Sequence, residues 1–439
     1  MRFLNLNRAK FTNRTDKVKS NNGIFNPKDS TANTLNGNDW IIGQTQVSSD
    51  LGVGLSVDIA PEDLDSTIIS AEFMGRTSIN IDGIKNKGII NTGNGADKIV
   101  GIAKTNLSAT ANTVSQAIAL VETVDTAAIT NVFASIELNT TTDGIDNSGG
   151  EIHTGHDSDY IYGFADGFIS AIATAYADAS AIVNTDMPEN LTAFAEAIAI
   201  SLAQADIIAR GINNTKGKIT TGSGHDTIIA KAISDTATVA NADASAFASA
   251  NDENQALAQT IFNAIAQVDD IAIAMDNTKG LINTGTGDDK IKAIAEADNT
   301  AIAIDNTKGR IFTGKGDDTI IANATGSESF GIFGGYIDMG DGDDSLEASS
   351  FGGGVNIKMG KGNDVVSGFG NAKVDGGKGF DIFNFGAYNI QDFSISSLGT
   401  NDNRVIFELD GITMITTGFE QFNFANSTLT LNLDPFLGF

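Results

Sequence analysis

One short block of sequence recurs along the chain and limits its possible folds more than any other feature. Its clearest copies begin at Gly83, Gly211, Met275 and Ile304, and each ends in the kernel Gly-x-Gly-x-Asp-x-aliphatic. The spacing between consecutive kernels varies from 17 to 67 residues. A constant kernel with variable spacing predicts stacked windings whose outer loops differ in length. The kernel aspartates are Asp39, Asp97, Asp159, Asp226, Asp289, Asp318, Asp344, Asp364 and Asp381.

Between the widely spaced kernels, alanine occupies every second position, as in residues 171–181 and 240–250. A period of two indicates a strand, although alanine itself prefers helix. We therefore expect an all-β chain, a parallel right-handed β-solenoid or β-roll with long Ala-rich coils. Bends are expected at residues 184–190 and 251–254. The returning segment keeps a helical alternative, because Leu191, Phe194, Ile198 and Leu202 also have helical spacing.

Four regions are predicted along the chain. Residues 1–33 form a basic N-terminal segment, and residues 34–325 form a long-coil solenoid whose turns carry the kernels. Residues 326–386 form a short-coil roll. Residues 387–439 form a C-terminal β cap.

The kernel has the chemistry of a cation-binding turn. Glycines reach positive φ without steric penalty, so the chain can turn tightly and expose carbonyl oxygens. Two stacked turns then offer about six oxygens, including two carboxylates, which suits Ca²⁺ better than Mg²⁺. The alternative for any single kernel is an ordinary turn. Eight tandem kernels, from Asp97 to Asp381, allow at most about seven such sites. The predicted ligands are the aspartates Asp97, Asp159, Asp226, Asp289, Asp318, Asp344, Asp364 and Asp381, with the glycines Gly93, Gly95, Gly222, Gly224, Gly285, Gly287, Gly314, Gly316, Gly340, Gly342, Gly360, Gly362, Gly377 and Gly379.

Other positions of the block also repeat and are predicted to stack from one winding to the next, as polar ladders do in β-structure. They are an Asn column (Asn86, Asn147, Asn214, Asn277, Asn306), a Thr column (Thr92, Thr154, Thr221, Thr284, Thr313) and two Ile columns (Ile90, Ile152, Ile219, Ile282, Ile311; Ile99, Ile161, Ile228, Ile291, Ile320).

The net charge of the chain indicates which classes of binding partner it can have. The chain has 55 acidic and 27 basic residues, a formal net charge of -28. Nucleic acid binding requires Lys and Arg against phosphates, so it is not expected. Hard cations take oxygen ligands and are expected. Cysteine is absent, no apolar run is long enough to cross a membrane, and the basic N-terminus lacks the apolar core of a cleavable signal.

The kernel resembles the nonapeptide G-G-x-G-x-D-x-U-x of the repeats-in-toxin (RTX) family, where U is a large apolar residue. GGKGFDIF at Gly376–Phe383 matches every specified position, and the tail segment from Thr417 is similar to family tails. Leu35 and Asp157 replace glycines in two copies. The resemblance implies a parallel β-roll, calcium between successive turns, and secretion by a one-step exporter that reads an uncleaved C-terminal signal.

The sequence therefore predicts a secreted, calcium-binding structural protein of a cell surface layer, sheath or extracellular matrix fibre. It would fold on binding calcium and self-associate, and cell-surface polysaccharide is a possible partner. The alternative is a calcium-dependent adhesin or ligand-binding module for carbohydrate or ice. No enzyme is expected: the three histidines lie at or beside turns, and no non-repetitive segment is long enough for a catalytic domain.

Overall fold

The computed structural model describes residues 3–59, 66–121, 125–183, 191–250, 255–397 and 404–431. Nearly all regular structure in these ranges is β-strand, with 3₁₀ turns at Leu6–Arg8 and Ile390–Asp392. In chain order the strands are β1 (Leu4–Asn5), β2 (Lys17–Ser20), β3 (Ile24–Asn26), β4 (Thr31–Asn33), β5 (Trp40–Ile59), β6 (Ser66–Asn86), β7 (Ile89–Asn91), β8 (Lys98–Val121), β9 (Thr126–Asp146), β10 (Glu151–His153), β11 (Tyr160–Val183), β12 (Thr192–Asn213), β13 (Lys218–Ser223), β14 (Thr227–Ala250), β15 (Gln255–Asp276), β16 (Leu281–Thr286), β17 (Lys290–Glu296), β18 (Thr300–Asp305), β19 (Arg310–Lys315), β20 (Thr319–Thr325), β21 (Glu328–Phe333), β22 (Tyr336–Asp341), β23 (Ser345–Ala348), β24 (Phe351–Lys361), β25 (Val365–Ser367), β26 (Gly370–Lys378), β27 (Ile382–Asn384), β28 (Ser394–Ser397), β29 (Val405–Leu409), β30 (Ile412–Thr417), β31 (Gln421–Asn423) and β32 (Thr428–Thr430).

Each winding passes through three strand positions that stack in parallel on the next winding. The outbound strand follows the kernel, as β5, β8, β11 and β14 do, and these strands pair in succession. The return strand comes back beside it, as β6, β9, β12 and β15 do. A short strand such as β13 or β16 then leads into the next kernel. The chain is therefore a parallel β-solenoid, and the predicted fold class is confirmed.

Four long windings extend beyond the others and form a flat lobe. Its outbound and return strands are each 20–24 residues long, with strict alternation of buried and outward-facing residues in β9, β11 and β12. Alanines of β11 and β12, including Ala173 and Ala197, are fully buried between the two sheets. The returning segment is strand, and its alternative helical reading is wrong, because period-two burial of alanine outweighs the intrinsic helix preference.

The windings shorten after the lobe. β17 and β20 have seven residues each, and β23 has four. The strands therefore shorten soon after β15. At the N-terminus, β1 pairs with β3, β3 with β6 and β2 with β5, so residues 4–33 form the first winding. The predicted bends at 184–190 and 251–254, and residues 432–439 of the tail, lie outside the described residues.

Two apolar columns fill the body of the solenoid. Both predicted Ile columns are fully buried at every position, which confirms them. The C-terminal end is closed by an antiparallel arrangement, in which β29 pairs with β28 and β30, and β31 with β32. Phenylalanines pack beneath it, among them Phe385, whose ring lies 4.6 Å from that of Phe407 and 4.7 Å from that of Phe424.

Candidate metal centre

The kernel turns have the backbone conformation that their glycines predict. Both glycines of the later copies take positive φ, for example Gly314 at 111° and Gly316 at 121°. Where the sequence lacks the glycine, the same position still takes positive φ: Leu35 has φ 74° and Asp157 has φ 76°. The turn shape is therefore maintained in the two divergent copies, at the steric cost that non-glycine residues incur there.

The glycines are also required by the close approach of successive windings. A Cβ atom on Gly316 would lie 2.2 Å from the carbonyl oxygen of Gly287, and one on Gly285 would lie 1.9 Å from that of Gly222. Such contacts cannot be relieved by moving a side chain, because both partners are backbone. The carbonyl oxygens of the kernel glycines therefore lie along the stacking direction, and that of Gly155 accepts the N–H of Ser223 at 3.1 Å.

The kernel aspartates form one continuous buried column. The backbone N–H of each donates to the Oδ1 of the aspartate on the following winding, at 2.7–2.9 Å throughout. Each of these aspartates is at most 2 % exposed. The repeat therefore brings all eight predicted aspartate ligands together on one line, with neighbours one strand spacing apart, about 4.8 Å.

The second carboxylate oxygen of every aspartate in this column is buried without a hydrogen-bond partner. This is true of the Oδ2 atom in all nine kernels, including that of Asp39. A buried charged oxygen without a partner is costly, and such groups are normally paired or coordinate a metal. Six of these carboxyl groups also have the Thr hydroxyl of their own turn beside them, a contact that opposes the rise in their pKa values. That hydroxyl donates its hydrogen to a backbone carbonyl of the next winding. Nine carboxylate oxygens left in register without a donor are the chemistry expected of cation ligands.

The pKa values of these carboxyl groups are raised accordingly. Burial is the main cause, and charge on neighbouring carboxylates adds to it, so the pKa of Asp159 and that of Asp344 rise to about 8. The same causes raise the pKa of Asp289 and that of Asp381 to about 7. Without a cation, the column therefore resists full ionisation near neutral pH.

A second, exposed column lies beside the first and runs in the opposite direction. The N–H of Asp317 donates to Oδ1 of Asp288 at 3.0 Å, that of Asp343 to Oδ1 of Asp317 at 2.8 Å, and that of Asn363 to Oδ1 of Asp343 at 2.7 Å. None of these residues is among the predicted ligands. Their acidic or amide side chains directly before the kernel Asp were the available signal.

The column extends beyond the predicted ligands at both ends. Asp39 lies at the first position and donates its N–H to Asp97. At the other end, the Asp381 N–H donates to Oε2 of Glu420 at 2.6 Å, so a glutamate closes the column. Glu420 was missed because its segment lacks the kernel glycine pair. Its signal is an acidic residue directly before a short strand, β31, that pairs in register with β27.

The polar ladders are confirmed. Each Asn side chain donates its Nδ2 to Oδ1 of the next, at 2.6–2.8 Å, and the ladder begins one winding earlier, at Asn26. Each Thr hydroxyl donates to the carbonyl of the next Thr, at 2.9–3.4 Å, starting from Thr34. These ladders hold successive windings in register and thereby position the aspartate column.

Among the described residues, one compact cluster of three acidic side chains lies outside the column: Asp82, Asp143 and Asp146, all buried. Lys85 contacts Asp82 at 2.9 Å and Lys87 contacts Asp146 at 2.8 Å, and Arg210 contacts both oxygens of Asp143 at 2.7 and 2.9 Å. Three cations therefore balance three carboxylates, and the cluster is a closed ion-pair network.

Comparison with known proteins finds similarity to a solved structure, but no family. No family model matches the chain, and no curated protein matches it. Among solved structures, the chain is similar to a hyperactive, Ca²⁺-dependent, β-helical antifreeze protein from an Antarctic bacterium, with 15% identity over 98% of this chain and 93% of that one. The TM-score is 0.29, so the two do not superpose as wholes, and the calcium dependence and antifreeze activity are properties of that protein.

The search for membrane-spanning helices gave a negative result: in the described ranges no helix has the length and apolar character to cross a bilayer.

Proposed function

We propose that the aspartate column binds a row of calcium ions, and that the protein is a secreted structural element which folds when calcium is supplied. The observation that carries this proposal is the set of nine buried Oδ2 atoms that lack hydrogen-bond partners. The ligands proposed are the kernel aspartates, with oxygens of the glycine turns. Asp39 and Glu420 extend the set at its two ends.

Calcium fits this arrangement better than other common cations. The donors are carboxylate and carbonyl oxygens, cysteine is absent, and the three histidines are not part of the column. Oxygen donors in a site of adjustable geometry favour Ca²⁺, whereas Mg²⁺ keeps several waters and demands a strict octahedron. A stack of shared carboxylates between windings would give each ion two side chains, and carbonyl oxygens of the glycine turns would complete its coordination.

Calcium binding would control folding through charge. The chain has a formal net charge of -28, and seven ions between the eight tandem windings would offset roughly half of it. A ligand that binds only the folded state stabilises that state. In a cell interior with little free calcium the chain would remain unfolded and suited to one-step export. In calcium-rich surroundings it would fold, as RTX-type proteins do.

The proposed role is structural, in a cell surface layer, sheath or extracellular matrix fibre, and it is not enzymatic. Outward-facing rows of the lobe favour this over ice or carbohydrate binding, since they mix residue types instead of repeating one. One such row is Thr110, Ile172 and Val239. A regular array of one residue type would be the feature expected of an ice-binding face.

The test is folding during a calcium titration of the purified full chain. Circular dichroism should show strand signal appearing with calcium and disappearing with chelator, and the folded protein should hold several calcium ions by elemental analysis. Magnesium at the same concentration is the control and should give little folding. A chain that is equally folded in chelator, or that holds no calcium when folded, would contradict the proposal.

A further inference from the structure

The lobe ends in an open sheet edge on the side of its last long winding. β14 and β15 pair along their lengths with β11 and β12. On the other side, β17 covers only Thr227–Ile233 and β18 only Ile271–Asp276. The turn at Asp298 and Asn299 bonds to Asp270 and Val268. In the described part of the chain, residues 235–250 and 255–267 therefore have no strand beside them on that side.

The backbone groups at this edge face away from the lobe and are available for pairing. Gln255 donates its N–H to Leu191 at 2.8 Å, toward β12, and Thr227 donates to Asp159 at 2.8 Å, toward β11. Successive residues of a strand direct their backbone N–H and C=O groups to opposite sides in the plane of the sheet. The N–H and C=O groups of the even-numbered residues therefore point out of the edge. The lobe thus presents two rows of donors and acceptors, one per sheet, and Cα atoms of β14 and β15 lie within 8 Å of one another across the alanine layer.

This edge lacks the features that usually protect an open strand. Residues 255–267 contain no charged residue and no proline, and residues 235–250 contain only Asp235 and Asp243. Natural edges are commonly protected by lysine, proline or other charges, and an unprotected long apolar edge invites pairing. The exposed large apolar residues of this winding are Val239, Phe247, Leu257, Ile261, Phe262 and Ile265.

The opposite edge of the lobe differs. The first long winding is also open along much of β5 and β6, but it carries Asp50, Glu72 and Arg76. Arg76 is held by Glu137 at 2.7 Å across the return strands. The two edges are therefore chemically distinct, and the uncharged one is the better surface for strand pairing.

We propose that the edge formed by residues 235–250 and 255–267 pairs with the same edge of a second copy, in a two-fold dimer. A partner must offer two unpaired strands with the same close separation as β14 and β15, and an identical lobe edge does so. A second copy translated along the stacking direction would collide with the short windings from β17 onward. These windings stack on the part of the lobe nearest the solenoid body, Thr227–Ile233 of β14. Rotation about an axis normal to the sheets avoids this collision and places the two solenoid bodies at opposite ends.

In that arrangement β14 pairs antiparallel with β14 of the second copy, and β15 with β15. The contact is isologous, so it closes as a dimer and does not propagate into a fibre. The inference deepens the proposed structural role, on which it rests, by naming the surface and the partner for self-association.

Ala264→Pro tests the edge directly. Residue 264 is even-numbered, so its N–H points out of the edge, and proline removes no hydrogen bond within one chain. The wild-type chain in calcium should sediment at twice its 45.6 kDa mass. Ala264→Pro should raise the dimer dissociation constant at least tenfold, with calcium content and circular dichroism unchanged. Met74→Pro is the matched control, since it places proline at an outward-pointing N–H of the opposite edge, and it should remain dimeric.

Hydrogen exchange on the wild-type chain keeps the test decisive if a proline variant fails to fold. Amides of the even-numbered residues between 255 and 267, which point out of the edge, should exchange slowly in the dimer and faster on dilution to monomer, whereas the odd-numbered amides bonded to β12 should change little. A folded, calcium-loaded monomer, or fast exchange of this segment in a dimer, would overturn the inference while leaving calcium binding intact. Dimers formed equally by a folded, calcium-free chain would contradict the calcium proposal instead.

Discussion

Asp318 lies between two of the proposed calcium sites, one shared with Asp289 and the other with Asp344. Its Oδ1 accepts the Asp289 N–H at 2.8 Å, and its Oδ2 is buried without a partner. Asparagine at this position keeps the acceptor oxygen and removes the charge. Asp318→Asn should therefore change stability in opposite directions in chelator and in calcium.

The magnitudes follow from the two roles of this carboxylate. In chelator, replacing a buried carboxylate by a neutral amide removes a buried charge and should stabilise the folded chain by about 1–3 kcal/mol, because an amide costs less to bury than a charge. In calcium at 100 times the dissociation constant, each bound ion contributes about 2.7 kcal/mol, so losing both adjacent sites costs about 5 kcal/mol. The net effect in calcium is then a destabilisation of about 2–4 kcal/mol.

Guanidinium chloride denaturation followed by circular dichroism, with and without calcium, measures both effects. Asp317→Asn is the matched control: it is the adjacent residue, its side chain is exposed, and asparagine can still accept the Asp343 N–H, as Asn363 accepts that of Phe380 at 3.0 Å. It should change stability by less than about 0.5 kcal/mol. The same sign for Asp318→Asn in both conditions would refute the reasoning.

Three further outcomes are expected. In chelator, the raised pKa values mean that the folded column holds protons which the unfolded chain releases. Stability is therefore greatest near pH 3.8 and is lost as the pH rises to about 8. A pH series of thermal melts should show this fall, and calcium should abolish it. Gly316→Ala should destabilise by about 3 kcal/mol or more, because its Cβ would meet the carbonyl of Gly287, whereas Gly52→Ala, with open space around it, should be near neutral in the same melts. Asn214→Ala should cost about 2–4 kcal/mol in denaturant titration by leaving its ladder neighbours unpaired, whereas the exposed Asn241→Ala should cost little.

Much of the fold could be predicted because the sequence repeats. Equivalent residues of successive copies lie one above another in the solenoid. The position of Asn214 or Ile219 in one copy therefore predicts which residues of the neighbouring copies it contacts. Alanine at every second position also predicted the flat lobe. Burial of these alanines between two sheets outweighs their intrinsic preference for helix.

Other features depend on contacts that a repeat does not encode. Glu420 joins the column although its segment has no glycine pair, because β31 pairs in register with β27. The ion-pair network of Asp82, Asp143 and Arg210 arises from three different windings, and no one copy of the repeat contains it. The open lobe edge exists because the short windings cover only part of the last long winding. This can be seen from the strand pairing of the structure but not from the sequence.

The most direct test is anomalous diffraction from crystals of the full chain grown in millimolar calcium. The account predicts a row of calcium peaks between successive windings along the column from Asp97 to Asp381, each within bonding distance of the Oδ2 atoms that lack other partners. Maps with no anomalous signal along this column, or with the carboxylates paired to other protein groups, would contradict it.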